Sequence, residues 1–157
     1  MLVAAACGSP EPSQGIRYGS PAPAIVGTTL DGGSFDLALL RGRPVVVNFW
    51  GPSCIPCRDE FPLFQEELTA AGGGPDAFAL VGVLNLDDPE SARAFITELG
   101  ATWPTVIDPD RSVAKAYRVA ARPQTYFIDR AGILRSIQIG GLTEADLERQ
   151  IAAISGS

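Results

Sequence analysis

Histidine is absent from the 157 residues. That excludes His-based acid–base catalysis and leaves no imidazole for haem or copper. Cysteine is scarce, at three residues, too few without histidine to complete a closed zinc site. No apolar run is long enough to cross a bilayer. Basic residues are also in short supply: 12 Lys and Arg stand against 18 Asp and Glu, for a net charge of −6. With no basic cluster, the chain is not built for nucleic acid or for electrostatic attachment to anionic lipid.

What is present is the composition of a globular domain, 46% hydrophobic and 19% charged, in a length suited to one core rather than two. The chain is organised around Val45 to Leu68. Val45-Val46-Val47-Asn48-Phe49-Trp50 is β-branched or aromatic with one polar exception, the pattern of a strand covered on both faces. Gly51-Pro52-Ser53 turns the chain into Cys54-Ile55-Pro56-Cys57. Beyond it Cys57, Phe61, Phe64 and Leu68 share one helical face. The strand therefore delivers Cys54 to a helix N-terminus, where free amides and the helix dipole stabilise a thiolate. Two intervening residues let the sulfurs meet within one turn, so the pair can cycle between dithiol and disulfide. Cys54 is expected to be the nucleophile and Cys57 the resolving thiol. The competing reading is an inert structural bridge, although closing so short a loop removes little chain entropy.

Asn48-Phe49-Trp50, Cys54-x-Pro56-Cys57-Arg58 and Glu60-x-Pro62 together resemble the active-site segment of the TlpA/ResA-like (DsbE-like) thioredoxins, extracytoplasmic thiol-disulfide oxidoreductases of bacteria. Arg122-Pro123-Gln124-Thr125-Tyr126-Phe127-Ile128-Asp129 resembles the family's second signature, a cis-proline loop feeding an antiparallel strand. Pro21-x-Pro23, the Asp31-Gly32-Gly33 hairpin and Gly42-x-Pro44 resemble its N-terminal extension. The strand–helix unit from Phe78 to Gly100 resembles its central insertion. One departure is plain: Ser53, preceded by Pro52, stands where the family has Trp before the first cysteine.

The resemblance implies an α/β thioredoxin fold, with a central mixed β-sheet flanked by helices, an N-terminal β-hairpin extension and the strand–helix insertion. It implies that Pro123 is cis and packs on the disulfide, exposing the preceding backbone for β-type pairing with a substrate peptide. Trp50, Arg122 and Pro123 are the candidate substrate-contacting residues. Glu60 corresponds to a glutamate the family carries near its cysteines, and partial burial would raise its pKa and suit it to accept the resolving thiol's proton. Asn48 sits where plain thioredoxins keep a buried aspartate. It cannot titrate, which leaves Glu60 or water for proton transfer. Arg122, if near Cys54, would favour the thiolate and make the disulfide more oxidising; the alternative is an Arg directed to solvent.

The implied function is disulfide reduction in exported proteins such as apocytochrome c, with a membrane thiol transporter as electron donor and without cofactor or metal. The alternatives are a disulfide-forming oxidase of the same fold and a peroxiredoxin-like peroxidase. The second lacks its Pro-x-x-x-Thr-x-x-Cys pattern, since Val47 and Gly51 occupy those places. A copper metallochaperone of this fold would need wider cysteine spacing and a histidine.

Ala4-Ala5-Ala6-Cys7-Gly8 resembles the tail of a bacterial lipoprotein signal, with Cys7 as the lipidated residue. The basic segment and long apolar core of such a signal are not in the sequence, so the expectation is a start further upstream or a trimmed chain. The competing reading is an ordinary N-terminus with an incidental cysteine. Residues 1–20 are assigned to this segment and a polar flexible tether, and 21–157 to the thioredoxin-like domain.

Overall fold

The computed structural model describes residues 16–74 and 76–156. Cys7 and its expected lipidation lie outside them. Val26–Thr28 (β1) and Ser34–Asp36 (β2) pair antiparallel. The turn between them places Gly32 at φ 87°, a conformation that side-chain-bearing residues rarely adopt. Asp36 then caps a 3-10 turn over Leu37–Leu40 by accepting from the Ala38 amide, as an aspartate before an apolar run should.

Val45–Trp50 forms β3, all six residues buried. It is followed by α1 (Ile55–Ala70), β4 (Ala79–Leu84) and α2 (Pro89–Leu99). Then come β5 (Thr105–Ile107), α3 (Ser112–Ala116), β6 (Gln124–Ile128), β7 (Leu134–Ile139) and α4 (Glu144–Ser155). The main sheet runs β5-β4-β3-β6-β7. β3 lies parallel to β4 and β4 to β5, whereas β6 is antiparallel to both β3 and β7. This is the expected thioredoxin fold, with its mixed sheet and N-terminal hairpin.

The helix ends follow local rules. Asp88 caps α2 by accepting from Ser91, Pro89 opens it, and Gly100 closes it at φ 66°. Thr143 and Asp146 form a reciprocal capping box on α4. In α2, Ala92 and Phe95 form the buried face. One sequence expectation shifts. The folded region reaches back before Pro21: Ile16 is buried, and Gly19 and Ser20 exchange backbone hydrogen bonds with Leu134. One apolar side chain in a polar stretch is enough to anchor it.

Period-two alternation along β3 divides the core. Val46 and Trp50 face a cluster with Cys57, Phe61 and Phe64 of α1, Phe95 of α2 and Leu147 and Ile154 of α4. Val45, Val47 and Phe49 face Val113 and Tyr117 near α3, Tyr126 of β6, and Ile16 and Ile25 of the N-terminal segment. The disulfide thus belongs to the face carrying α1, α2 and α4.

Candidate active site

Cys54 occupies the N-cap of α1 with extended backbone (φ −93°, ψ 105°), and Pro56 sits in the first turn, where its missing N–H costs nothing. The Cys54 amide donates to Gly51 O at 3.0 Å and the Cys57 amide to Cys54 O at 3.2 Å. This tight turn holds the Cα atoms 5.3 Å apart, and Cys54 and Cys57 form a disulfide. Cys54 retains 8% exposure while Cys57 has none. An incoming sulfur can reach only the first.

One turn along α1, Glu60 is 1% exposed. Its Oε1 accepts from the Leu142 amide at 2.9 Å and its Oε2 from Asn48 Nδ2 at 3.3 Å. Asn48 also donates to Thr125 Oγ1 at 3.0 Å, tying β3 to β6 under the helix. Burial pushes the Glu60 pKa up to about 7, with the two hydrogen bonds pulling the other way. A carboxylate of that strength can take or hold a proton near neutrality.

The remaining site residues fall differently. Trp50 is fully buried, its ring 4.8 Å from Phe61 and 5.1 Å from Phe95. It cannot touch a partner, so its expected role in substrate contact is corrected to a structural one: as the last residue of a central strand it faces the helices, not the rim. The Arg122–Pro123 peptide is cis and Pro123 is buried. Pro123 O accepts from the Gly140 amide at 2.9 Å, which ties this loop to the end of β7. Arg122 is neither aimed freely at Cys54 nor left in solvent. Its Nη1 donates to Asn85 O at 2.6 Å and pairs with Asp87 Oδ2 at 3.1 Å, and its Nη2 donates to Ser53 Oγ at 3.3 Å.

Ser53, Asp87 and the Leu142 amide are the site groups that sequence reasoning missed. Ser53 signalled only the loss of an aromatic, and Asp87 was hidden in an Asp-Asp-Pro-Glu helix start. Among the described residues no cluster of His, Cys, Asp and Glu could hold a metal ion.

Residues 18–137 match the AhpC/TSA family. Over 141 residues the chain is 36% identical to the thiol-disulfide oxidoreductase ResA of Geobacillus kaustophilus, covering 88% of this chain and 79% of that protein. The chain belongs to the AhpC/TSA family, among its ResA-like thiol-disulfide oxidoreductases. Solved structures agree. One, from Chlorobium tepidum and proposed to be a thiol:disulfide interchange protein DsbE, superposes with a TM-score of 0.82 at 26% identity, over 90% of this chain and 99% of that one. A secreted Mycobacterium tuberculosis disulfide oxidoreductase, described as homologous to Escherichia coli DsbE, gives a TM-score of 0.72 at 26% identity over 82% and 95%. In this ResA-like chain the cysteine pair lies on the face of the sheet that carries α1, α2 and α4, Glu60 of α1 is bonded to Asn48 of β3 on that side, and the cis Arg122–Pro123 peptide leads into β6.

Proposed function

We propose that this oxidoreductase acts outside the cytoplasm as a reductant of disulfides in exported proteins, apocytochrome c among them, and is recharged by a membrane thiol transporter. The observation that carries the exchange chemistry is the graded exposure of the pair, with Cys54 keeping a small exposed edge at the helix N-terminus and Cys57 fully buried behind it. In the reduced enzyme the Cys54 thiolate attacks one sulfur of a partner disulfide, forming a mixed disulfide and releasing the partner's other sulfur as a thiolate. Cys57, surrendering its proton to Glu60 directly or through water, then attacks Cys54 Sγ and expels the second partner thiolate. Two electrons pass to the partner, and Cys54–Cys57 closes. A dithiol donor reopens it.

The reducing direction is supported by Arg122, whose charge is compensated by Asp87 and therefore does little to favour the Cys54 thiolate. The extracytoplasmic setting is supported by the secreted Mycobacterium relative. Attachment through a lipid on Cys7 is part of the same reading, and finding Cys7 unmodified in the native membrane fraction by mass spectrometry would remove it. The test of the whole is trapping in the native host. Cys57→Ser should accumulate mixed disulfides through Cys54 with exported proteins, including ones bearing a Cys-x-x-Cys-His haem motif. Trapping by Cys54→Ser instead would reverse the roles, and captured proteins that all lack the haem motif would remove the cytochrome substrate while leaving the chemistry.

A further inference from the structure

Three loops meet at the rim of the disulfide: the Gly51–Cys54 turn, the segment from Asn85 to Asp87 after β4, and Arg122 ahead of the cis-proline. Asp87 joins them. Its Oδ2 accepts from the Ser53 amide at 2.9 Å and the Ser53 hydroxyl at 2.6 Å, and it receives Arg122 Nη1 at 3.1 Å. Arg122 in turn reaches Asn85 O and Ser53 Oγ. The cluster is pressed against the turn itself. A Cβ on Gly51 would collide with Arg122 Nη1 and lie 2.6 Å from Asp87 Oδ2, so this packing requires glycine there. Side-chain exposures of 20% for Arg122 and 14% for Asp87 shield the pair from much of the solvent that would otherwise screen it.

We infer that Asp87 and Arg122 are positioning residues that set the redox poise of the Cys54–Cys57 pair, Asp87 by neutralising Arg122 and by fixing the Ser53–Cys54 backbone. This inference rests on the oxidoreductase reading and extends it. The geometry follows from the small serine: both the amide and the hydroxyl of Ser53 converge on one carboxylate oxygen, one peptide bond from the nucleophile. A cation this close favours the thiolate and the dithiol form, a carboxylate disfavours both, and a compensated pair does neither strongly. Burial opposes ionisation of Asp87, but the Ser53, Asp88 and Arg122 hydrogen bonds outweigh it and hold its pKa below the usual value. It stays charged through the neutral range. The other charged groups near the pair are otherwise placed. Arg58 binds Glu98 at 2.8 Å and lies over the Phe95 ring, Asp59 is exposed on α1, and Glu60 faces Asn48 and Leu142 behind Cys57.

The test uses the full chain with Asp87→Asn, Arg122→Met and the double variant. Each is equilibrated with dithiothreitol, and the Cys54 pKa is read from the pH dependence of alkylation. Asp87→Asn leaves the Arg122 cation uncompensated, so the equilibrium should move roughly threefold to tenfold toward the dithiol and the Cys54 pKa should fall. Arg122→Met should shift both quantities the other way by a similar factor, and the double variant should lie within about twofold of wild type. Opposite signs are the signature, because mere loosening of the rim would move both single variants alike. Shifts in the same direction, in one variant only or in neither overturn the assignment. A wild-type disulfide that does not exchange with dithiothreitol at all would instead overturn the oxidoreductase reading beneath it.

Discussion

On the α3 side of the central sheet both buried tyrosine hydroxyls are satisfied: Tyr126 Oη donates to Tyr117 O at 2.6 Å and accepts from Gln124 Nε2 at 2.5 Å, and Tyr117 Oη donates to Pro23 O at 2.8 Å. On the disulfide side Asn48 Oδ1, Trp50 Nε1 and Thr105 Oγ1 are buried without a hydrogen-bond partner among the described residues, and Glu60 is buried beside them. The two faces share one sheet and comparable apolar packing. They differ in what their polar atoms do. Burial pushes both tyrosine pKa values up, which keeps the phenols protonated as fixed donors, whereas the glutamate is brought into the neutral range. One face closes its polar atoms into fixed hydrogen bonds, and the other leaves several unpaired and holds a carboxyl group that titrates near neutrality.

The largest effect that would sharpen this contrast is chemical. Cys54→Ala should abolish catalysed disulfide reduction of a model protein substrate while leaving unfolding cooperative; residual turnover above a few per cent would place the chemistry elsewhere. Next is the opposite face. Tyr117→Ala removes a ring packed 5.3 Å from Phe49 and 5.0 Å from Tyr126 and should cost about 3–5 kcal/mol in urea unfolding. The dithiothreitol equilibrium of the cysteine pair should not change. A shift there would show that the faces are coupled.

Glu60→Gln probes the disulfide face alone. With its pKa raised from 4.5 to about 7, Glu60 binds its proton more tightly folded than unfolded. It therefore contributes stability that is complete below about pH 4.5 and is lost as pH rises through about 7. Replacing it should make the chain roughly 3 kcal/mol more stable than wild type at pH 8, with the gap narrowing to about 1 kcal/mol at pH 5 and closing below about pH 4.5. It should also flatten the pH profile of disulfide exchange near neutrality. A gap that persists unchanged at pH 5 would mean that packing, not ionisation, is responsible. The smallest effect belongs to Tyr126→Phe. It strands Gln124 Nε2 and Tyr117 O at about 1–2 kcal/mol, with no pH dependence between 5 and 8.

Much of this was legible in the chain, for local reasons. A six-residue β-branched and aromatic run can be little other than a central strand, and Asp88-Pro89 with Gly100 brackets a helix by capping chemistry alone. The cysteine pair announces itself by spacing. What could not be read is what depends on distant partners. Nothing in Asp87-Asp88-Pro89 distinguishes the carboxylate that reaches Ser53 and Arg122 from the one that caps α2, since the ion pair joins residues brought together only by the sheet. Trp50 was misplaced for a related reason: a strand's alternation is visible in sequence, but which face the last residue serves is settled by the helix packed on it. Glu60 could be suspected of burial, yet its partners Asn48 and Leu142 come from β3 and from the loop before α4.

The central claim is that Cys54–Cys57 is a working redox pair and not a staple, and a redox titration of the purified chain tests it most directly. The pair should equilibrate readily with a dithiol buffer at a potential above about −300 mV, the region below which structural disulfides lie. Once reduced, it should be alkylated at Cys54 well before Cys57. A bridge that resists reduction, with a potential well below that value, would contradict the account.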